Sequence, residues 1–260
     1  LVHTGANASY PRRRFFIFRS RGEAFTLVEL LVVVGTIAIL AGLLLPSFVG
    51  AKEKGRRTAC KGQLQQFLLG VHMYANDNVA RLPSGLSENS DATDEHLPVV
   101  SKATRDSLIQ YSGSRRVLKC PSLMKPFNTE SGWHYQNYGF VLGYNYLGGH
   151  GDTPWPVSGT CSNWVSPQTA NDDSSLVLVT DMNDWSPGFR KAFAPHANHG
   201  PVIKDNDFGR NPQGASSRDI GAAGGNLALL DGSVNWKKIR QMNTHQGSRR
   251  WEDDGCFAAW

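Results

Sequence analysis

The chain has 260 residues, 40% of them apolar and 19% charged, a balance that suits a folded protein and excludes a disordered one. Its net charge of +5 is local: residues 1–24 hold five arginines and one acid, leaving 22 basic against 21 acidic residues from Phe25 onward. A nucleic-acid-binding surface gains little support from that remainder, and four cysteines without a C-x-x-C spacing point neither to a disulfide-dense scaffold nor to zinc or thioredoxin chemistry.

Arg12, Arg13, Arg14, Arg19 and Arg21 form a basic flank with Glu23 as its lone acid. The positive-inside rule keeps such a flank on the cytoplasmic side of a membrane. Leu30–Phe48 then runs for 19 residues without a charge, about 28 Å as a helix and enough to cross a bilayer once. A secretory signal peptide, cut near Val49-Gly50-Ala51, is the competing reading, although its apolar core is normally shorter. Glu29 opens the apolar run, where an unpaired carboxylate is expensive, and is therefore a functional candidate. Pro46 either kinks the helix or marks the end of the span.

Beyond the charged run Lys52–Arg57, the residues Cys60, Leu64, Phe67, Leu68 and Val71 recur at helical spacing, and Asn76-Asp77-Asn78 with Pro83 end the helix. Residues 80–260 read as a loop-rich head. Arg105–Tyr111 suits a short helix, and Val117–Cys120, Phe140–Tyr146 and Leu176–Thr180 suit strands. Asn226–Trp236 is a hairpin turning at Asp231-Gly232, and Gly148–Asn171 and Asn183–Gly225 are expected as long loops. The fold class is α+β, a long transmembrane and amphipathic helix packed on a small antiparallel sheet. Four segments follow: a leader at 1–24, the membrane helix at 25–49, its periplasmic continuation at 50–79 and the head at 80–260.

Within the head, Pro195-His196-Ala197-Asn198-His199 places two imidazoles three residues apart, with Asp181 and Asp184 as conceivable neighbours. Two histidines fall short of a metal site, and exposed loop histidines are the expectation. Asp205 and Asp207 have the oxygen density of a calcium loop, but Gly209 breaks the EF-hand spacing. Trp133, Trp155, Trp164 and Trp185 suit either a glycan-stacking surface or the packing of loops. Cys120 and Cys161 are either bridged or free buried thiols. Neither a G-x-S-x-G elbow nor a phosphate loop occurs, so no enzyme activity is expected.

Phe25-Thr26-Leu27-Val28-Glu29-Leu30 and the apolar run after it resemble the N-terminus of type IV prepilins and type II secretion pseudopilins. The resemblance implies cleavage between Ala24 and Phe25 by a prepilin peptidase, Ala24 standing where Gly is usual, and N-methylation of Phe25. It implies that Glu29 neutralises the α-amine of a neighbouring subunit, with a bond to the chain's own Phe25 amine as the alternative. The partners implied are copies of itself or related pseudopilins, the inner-membrane assembly machinery and lipid. The location implied is the bacterial inner membrane, single-pass, with the head periplasmic or, after assembly, extracellular. Secretion pseudopilins also suggest calcium in the head. Leu118-Lys119-Cys120-Pro121, Tyr138-Gly139-Phe140 with Gly143-Tyr144-Asn145, and Asp231-Gly232-Ser233-Val234 are similar to a pseudopilin-like family marked by an H-X9-DG motif, which expects His where this chain has Gly221, with His196 or His199 as displaced equivalents. The resulting expectation is a filament subunit; the alternative is a membrane-tethered, non-polymerising binding protein.

Overall fold

The computed structural model describes residues 25–88, 95–123, 133–135, 138–155, 161–186, 191–198, 200–205, 217, 219–249 and 256–260, with backbone alone at 45–47, 133–135 and 204–205. The chain divides into two compact units, Leu1–Pro46 and Ser47–Trp260. The division falls inside the first helix, α1 (Leu27–Asp77).

In the first unit, α1 begins with a reciprocal cap. Thr26 Oγ1 accepts the Glu29 N–H at 3.2 Å, and Glu29 Oε2 accepts from the Thr26 N–H and hydroxyl, each at 2.8 Å. This Thr-x-x-Glu capping box satisfies donors that a helix start leaves orphaned. Leu27–Leu44 is long and apolar enough to cross a membrane, and Leu27, Val28, Leu31, Ile37, Leu40 and Leu43 are all exposed. The helix continues through Pro46, so this residue does not end it; the Pro46 side chain lies outside the described residues.

In the second unit, the expected stripe of Cys60, Leu64, Phe67, Leu68 and Val71 is buried throughout, with Ala75 extending it. The helix stops at Asp77 because the next residues leave helical geometry. Val79 and Ala80 take φ of 55° and 61°, and the Ala80 N–H returns to the Ala75 carbonyl at 2.8 Å. A second helix, α2 (Lys102–Ser112), is capped by Ser101 and closed by Gly113 at φ 69°.

Twelve strands occur among the described residues: β1 (Val99–Val100), β2 (Trp133–Tyr135), β3 (Gly139–Val141), β4 (Tyr144–Tyr146), β5 (Val177–Asp181), β6 (Asp184–Ser186), β7 (Lys191–Ala194), β8 (Val202–Asp205), β9 (Gly224–Leu229), β10 (Val234–Lys238), β11 (Thr244–Gln246) and β12 (Phe257–Ala259). They pair antiparallel into three sheets, ordered β1-β3-β2, β10-β9-β5-β4 and β11-β12-β6-β7-β8. The α+β architecture with antiparallel sheet is as expected, but the sheet is threefold rather than single. Two cores result. The buried face of α1 packs with Tyr144, Tyr146, Leu178, Val179, Ala228 and Val234, while the second core gathers Trp155, Trp164, Trp185 and Trp260.

The β9–β10 hairpin turns where the sequence places it. Gly232 takes φ 87°, open to residues without a Cβ, and Asp231 Oδ1 accepts the Ser233 N–H at 2.8 Å. Two expectations are corrected. Val117–Cys120 is not a strand: Ser114 caps a 3-10 turn at Arg115–Leu118, and only Lys119 makes a bridge, to Gly143. Asn183–Gly225 is not one long loop, because it supplies β6, β7 and β8. Those strands are three or four residues long, too short for a periodicity to register.

Candidate functional site

Two places carry functional candidates, one in each unit. At the N-terminal pole, Phe25 is 71% exposed and Glu29 spends its carboxylate on Thr26. Ala24, the residue before the expected cut, lies outside the described residues. The Thr26-x-x-Glu29 spacing was readable as a helix cap from the sequence, and it gives Glu29 a local role besides the expected intermolecular one.

The second place is a buried polar cluster in the head. Cys60 comes from α1, Cys120 follows the Lys119–Gly143 bridge, Asp181 ends β5 and His196 follows β7. One ligand-type atom from each lies within 4.8 Å of all the others. Cys60 Sγ donates to Asp181 Oδ1 at 3.0 Å, Cys120 Sγ meets His196 Nε2 at 3.4 Å, and His196 Nε2 stands 3.5 Å from Asp181 Oδ2. All four side chains are at most 1% exposed.

Backbone geometry explains how distant residues converge. Gly143 lets two segments touch: a Cβ there would stand 2.4 Å from the Lys119 Cβ and 2.7 Å from its Cα. Its amide donates to the Leu118 carbonyl at 2.9 Å, fixing the chain that presents Cys120. Ala197 bridges Ala222, and the Ala223 N–H donates to the His196 carbonyl at 2.8 Å. His196 therefore lies opposite Ala223, two residues past Gly221, the position where the H-X9-DG pattern expects its histidine.

A surrounding layer orients these groups. Asp181 Oδ2 accepts from the Asn226 N–H at 2.6 Å and from Asn226 Nδ2 at 3.0 Å. His196 Nδ1 stands 3.0 Å from Glu53 Oε1, and Arg57 Nε donates to the same oxygen at 3.1 Å. The Arg57 guanidinium lies 4.2 Å over the Trp236 ring, which also meets His196 edge to face. Burial alone would favour neutral His196, but Cys120, Asp181 and Glu53 outweigh it and raise its pKa to about 9. Burial pushes Cys120 upward, while contacts with Cys60 and His196 pull it down to about 7. Cys60, in contrast, is held well above its usual range, first by burial.

Several expectations end differently. His196 is fully buried rather than an exposed loop residue. Among its expected neighbours, Asp181 joins it, whereas Asp184 is turned to Asn145, whose Nδ2 donates to Asp184 Oδ1 at 2.6 Å. Cys120 and Cys161 are both free: Cys120 is committed to the cluster, while the chain at Cys161 is tied to β11 through the Ser162 N–H to Thr244 carbonyl bond. Trp155, Trp164 and Trp185 are buried in the second core and offer no stacking surface, and the side chain of Trp133 lies outside the described residues. His199, Asp207 and the side chain of Asp205 lie outside them too.

The convergence of the four residues was missed because 60, 61 and 15 positions separate them in turn. The usable signal lies in each residue's local setting: Cys60 on the helix stripe, Cys120 before a proline, Asp181 at a strand end and His196 after one.

Over its N-terminal quarter the chain is similar to known pilins and pseudopilins. It is 34% identical over 62 residues to the type II secretion system core protein G of Pseudomonas aeruginosa, which covers 24% of this chain and 44% of that protein. It is 38% identical over 56 residues to the type IV wide pilus major component PilA4 of Thermus thermophilus, covering 22% and 43%. The core protein G of Pectobacterium carotovorum is 37% identical over 67 residues, covering 26% and 41%. The chain thus spans less than half the length of the curated relatives it matches. No protein-family model matches the chain. No solved structure matches it either.

Proposed function

We propose that this chain is a structural subunit of a type IV pilus-like or type II secretion pseudopilus filament, assembled through α1. The observation that carries the reading is the likeness of its N-terminal quarter to two core protein G sequences and a pilus major component, in a chain whose N-terminal helix is long and apolar enough for a membrane anchor. On this reading a prepilin peptidase cuts between Ala24 and Phe25, the Phe25 amine is methylated, and the basic leader stays cytoplasmic while the head is exported. Glu29 then meets the amine of a neighbouring subunit, exchanging its bonds to Thr26 for an intermolecular pair. A carboxylate in or near hydrocarbon needs such a partner. The subunit partners are copies of this chain or related pseudopilins, served by inner-membrane assembly machinery.

Mass spectrometry of the N-terminus from the native host tests processing. The expected product begins at Phe25 and is one methyl group heavier than the bare peptide. A chain beginning at Lys52 would instead mark signal-peptidase cleavage, and an uncut leader would mark a plain tether that does not polymerise; either result overturns the filament reading.

A further inference from the structure

We infer that Cys60, Cys120, Asp181 and His196 form a structural zinc site that ties the α1 stem to the head. The inference stands independently of any assembly role, because all four ligands lie in the unit Ser47–Trp260.

The distances fit the ion. Zinc binds sulfur at about 2.3 Å and nitrogen or oxygen at about 2.0–2.2 Å, so a tetrahedral set has neighbouring ligand atoms roughly 3.3–3.8 Å apart. Here Cys120 Sγ and His196 Nε2 are 3.4 Å apart, His196 Nε2 stands 3.5 Å from the second carboxylate oxygen, Oδ2, and one ligand atom from each residue lies within 4.8 Å of all the others, while Cys60 Sγ and Asp181 Oδ1 stand at 3.0 Å. Filling the centre requires the last pair to open by a few tenths of an ångström, which a carboxylate rotation supplies. Two thiolates with one imidazole and one carboxylate are a donor set that favours zinc over the hard cations calcium and magnesium.

The surrounding hydrogen bonds point the same way. A metal-bound imidazole normally gives its other N–H to a carboxylate, which fixes the tautomer. His196 has that arrangement: Nε2 faces the thiols and Asp181, while Nδ1 faces Glu53 Oε1 at 3.0 Å. Asp181 keeps Oδ1 towards Cys60 while Asn226 holds Oδ2. Four protein ligands leave no open position, so the site is structural rather than catalytic. It also gives two adjacent buried thiols an occupation other than oxidation. Each ligand comes from a different segment, α1, the Lys119–Gly143 bridge, β5 and the turn after β7, and one ion would cross-link them all.

The test uses the full chain purified in detergent without chelator. Elemental analysis should find about one zinc per chain, and Cys120→Ser and His196→Ala should each reduce that content at least tenfold, whereas Cys161→Ser should leave it unchanged. To separate ligand loss from misfolding, wild-type chain stripped with a chelator and titrated with Co2+ gives a second readout. The expected spectrum has intense tetrahedral ligand-field bands and a thiolate-to-cobalt charge-transfer band, which Zn2+ but not Mg2+ abolishes. Glu53→Gln, altering a positioning residue, should weaken Co2+ binding about 10- to 100-fold while keeping the spectrum. A Cys60–Cys120 disulfide in the purified chain, absence of stoichiometric zinc together with a featureless Co2+ titration, or equal loss of zinc in Cys161→Ser would overturn the site.

Discussion

His196 Nδ1 lies 3.0 Å from Glu53 Oε1 although 143 positions separate the two residues. Glu53 and Cys60 stand seven residues apart on α1, two turns along one helix face. The stem therefore supplies both a member of the cluster and the carboxylate that orients its histidine. Glu53 is 4% exposed and His196 fully buried, so truncating the carboxylate strands a buried imidazole and the Arg57 guanidinium. Glu53→Ala is expected to destabilise the head by about 3–5 kcal/mol. Glu53→Gln keeps an acceptor for Nδ1 and is expected to cost about 1–3 kcal/mol. Denaturant melts of the two variants check the order, and an alanine variant as stable as wild type would refute the coupling.

The Gly143 contact makes a sharper demand. An added Cβ would sit 2.4 Å from the Lys119 Cβ and 2.7 Å from its Cα, and the latter is backbone that cannot swing aside. Gly143→Ala should destabilise the head by about 1–3 kcal/mol through displacement of the Cys120 segment. Gly62→Ala on α1, where nothing stands within 4 Å of the new Cβ, should be neutral or stabilising. Thermal melts of the pair separate a local clash from a general intolerance of substitution.

Much of this fold could be read from residue order, and the reason is physical. The α1 stripe is strongly periodic over three turns, and the β9–β10 hairpin carries its own Asp231-Gly232 turn chemistry. The missed strands β6, β7 and β8 pair in succession with one another, and β6 is tied to the rest of its sheet by β12 from the C-terminus. Tertiary context decides such short segments. The buried cluster was illegible for the same reason. Nothing near Cys120 announces Cys60 or His196, and contacts between distant segments, among them the Gly143 approach and the Ala197–Ala222 bridge, bring them together. Trp155, Trp164 and Trp185 resolve their two readings in favour of packing: Trp155 and Trp164 meet edge to face at 4.9 Å in the second core.

Asp184 gives the head a signed dependence on pH. Burial raises its carboxyl to about 8, against the opposing pull of the Asn145 amide, and its charge contributes, after burial, to pushing Cys256 up to about 12. The folded state thus keeps a proton on Asp184 that the unfolded chain loses near the ordinary carboxylate range, so this contribution to stability declines as pH rises from about 4 to about 8. His245 acts oppositely: burial lowers it to about 4, so stability falls as the pH drops from about 6.5 towards 4. Between about pH 6.5 and 8 only the Asp184 term of this pair remains. Asp184→Asn retains an oxygen for Asn145 Nδ2 and should flatten the loss of stability across that interval. Unfolding free energies of both proteins at matched pH decide it; parallel curves would show that Asp184 does not titrate there.

Glu29 has two separable roles, and the choice of substitution distinguishes them. Its side chain closes the capping box with Thr26 through two 2.8 Å bonds, a neutral job that glutamine also performs. The proposed pairing with a neighbouring subunit's cationic amine requires the negative charge. Glu29→Gln should therefore keep helix α1 intact yet reduce incorporation into filaments at least tenfold, comparable to Glu29→Ala. Loss of a cap alone costs only about 1 kcal/mol, too little to abolish assembly of a helix with a long apolar span. Incorporation can be followed by recovery of processed chain in sheared surface filaments relative to the membrane pool, with head folding monitored by protease resistance. If Glu29→Gln assembles normally and Glu29→Ala does not, the residue acts as a cap rather than as a charge. If both assemble normally, assembly does not depend on Glu29; if even the wild-type chain is absent from sheared filaments, the helix serves as a tether and the filament reading fails.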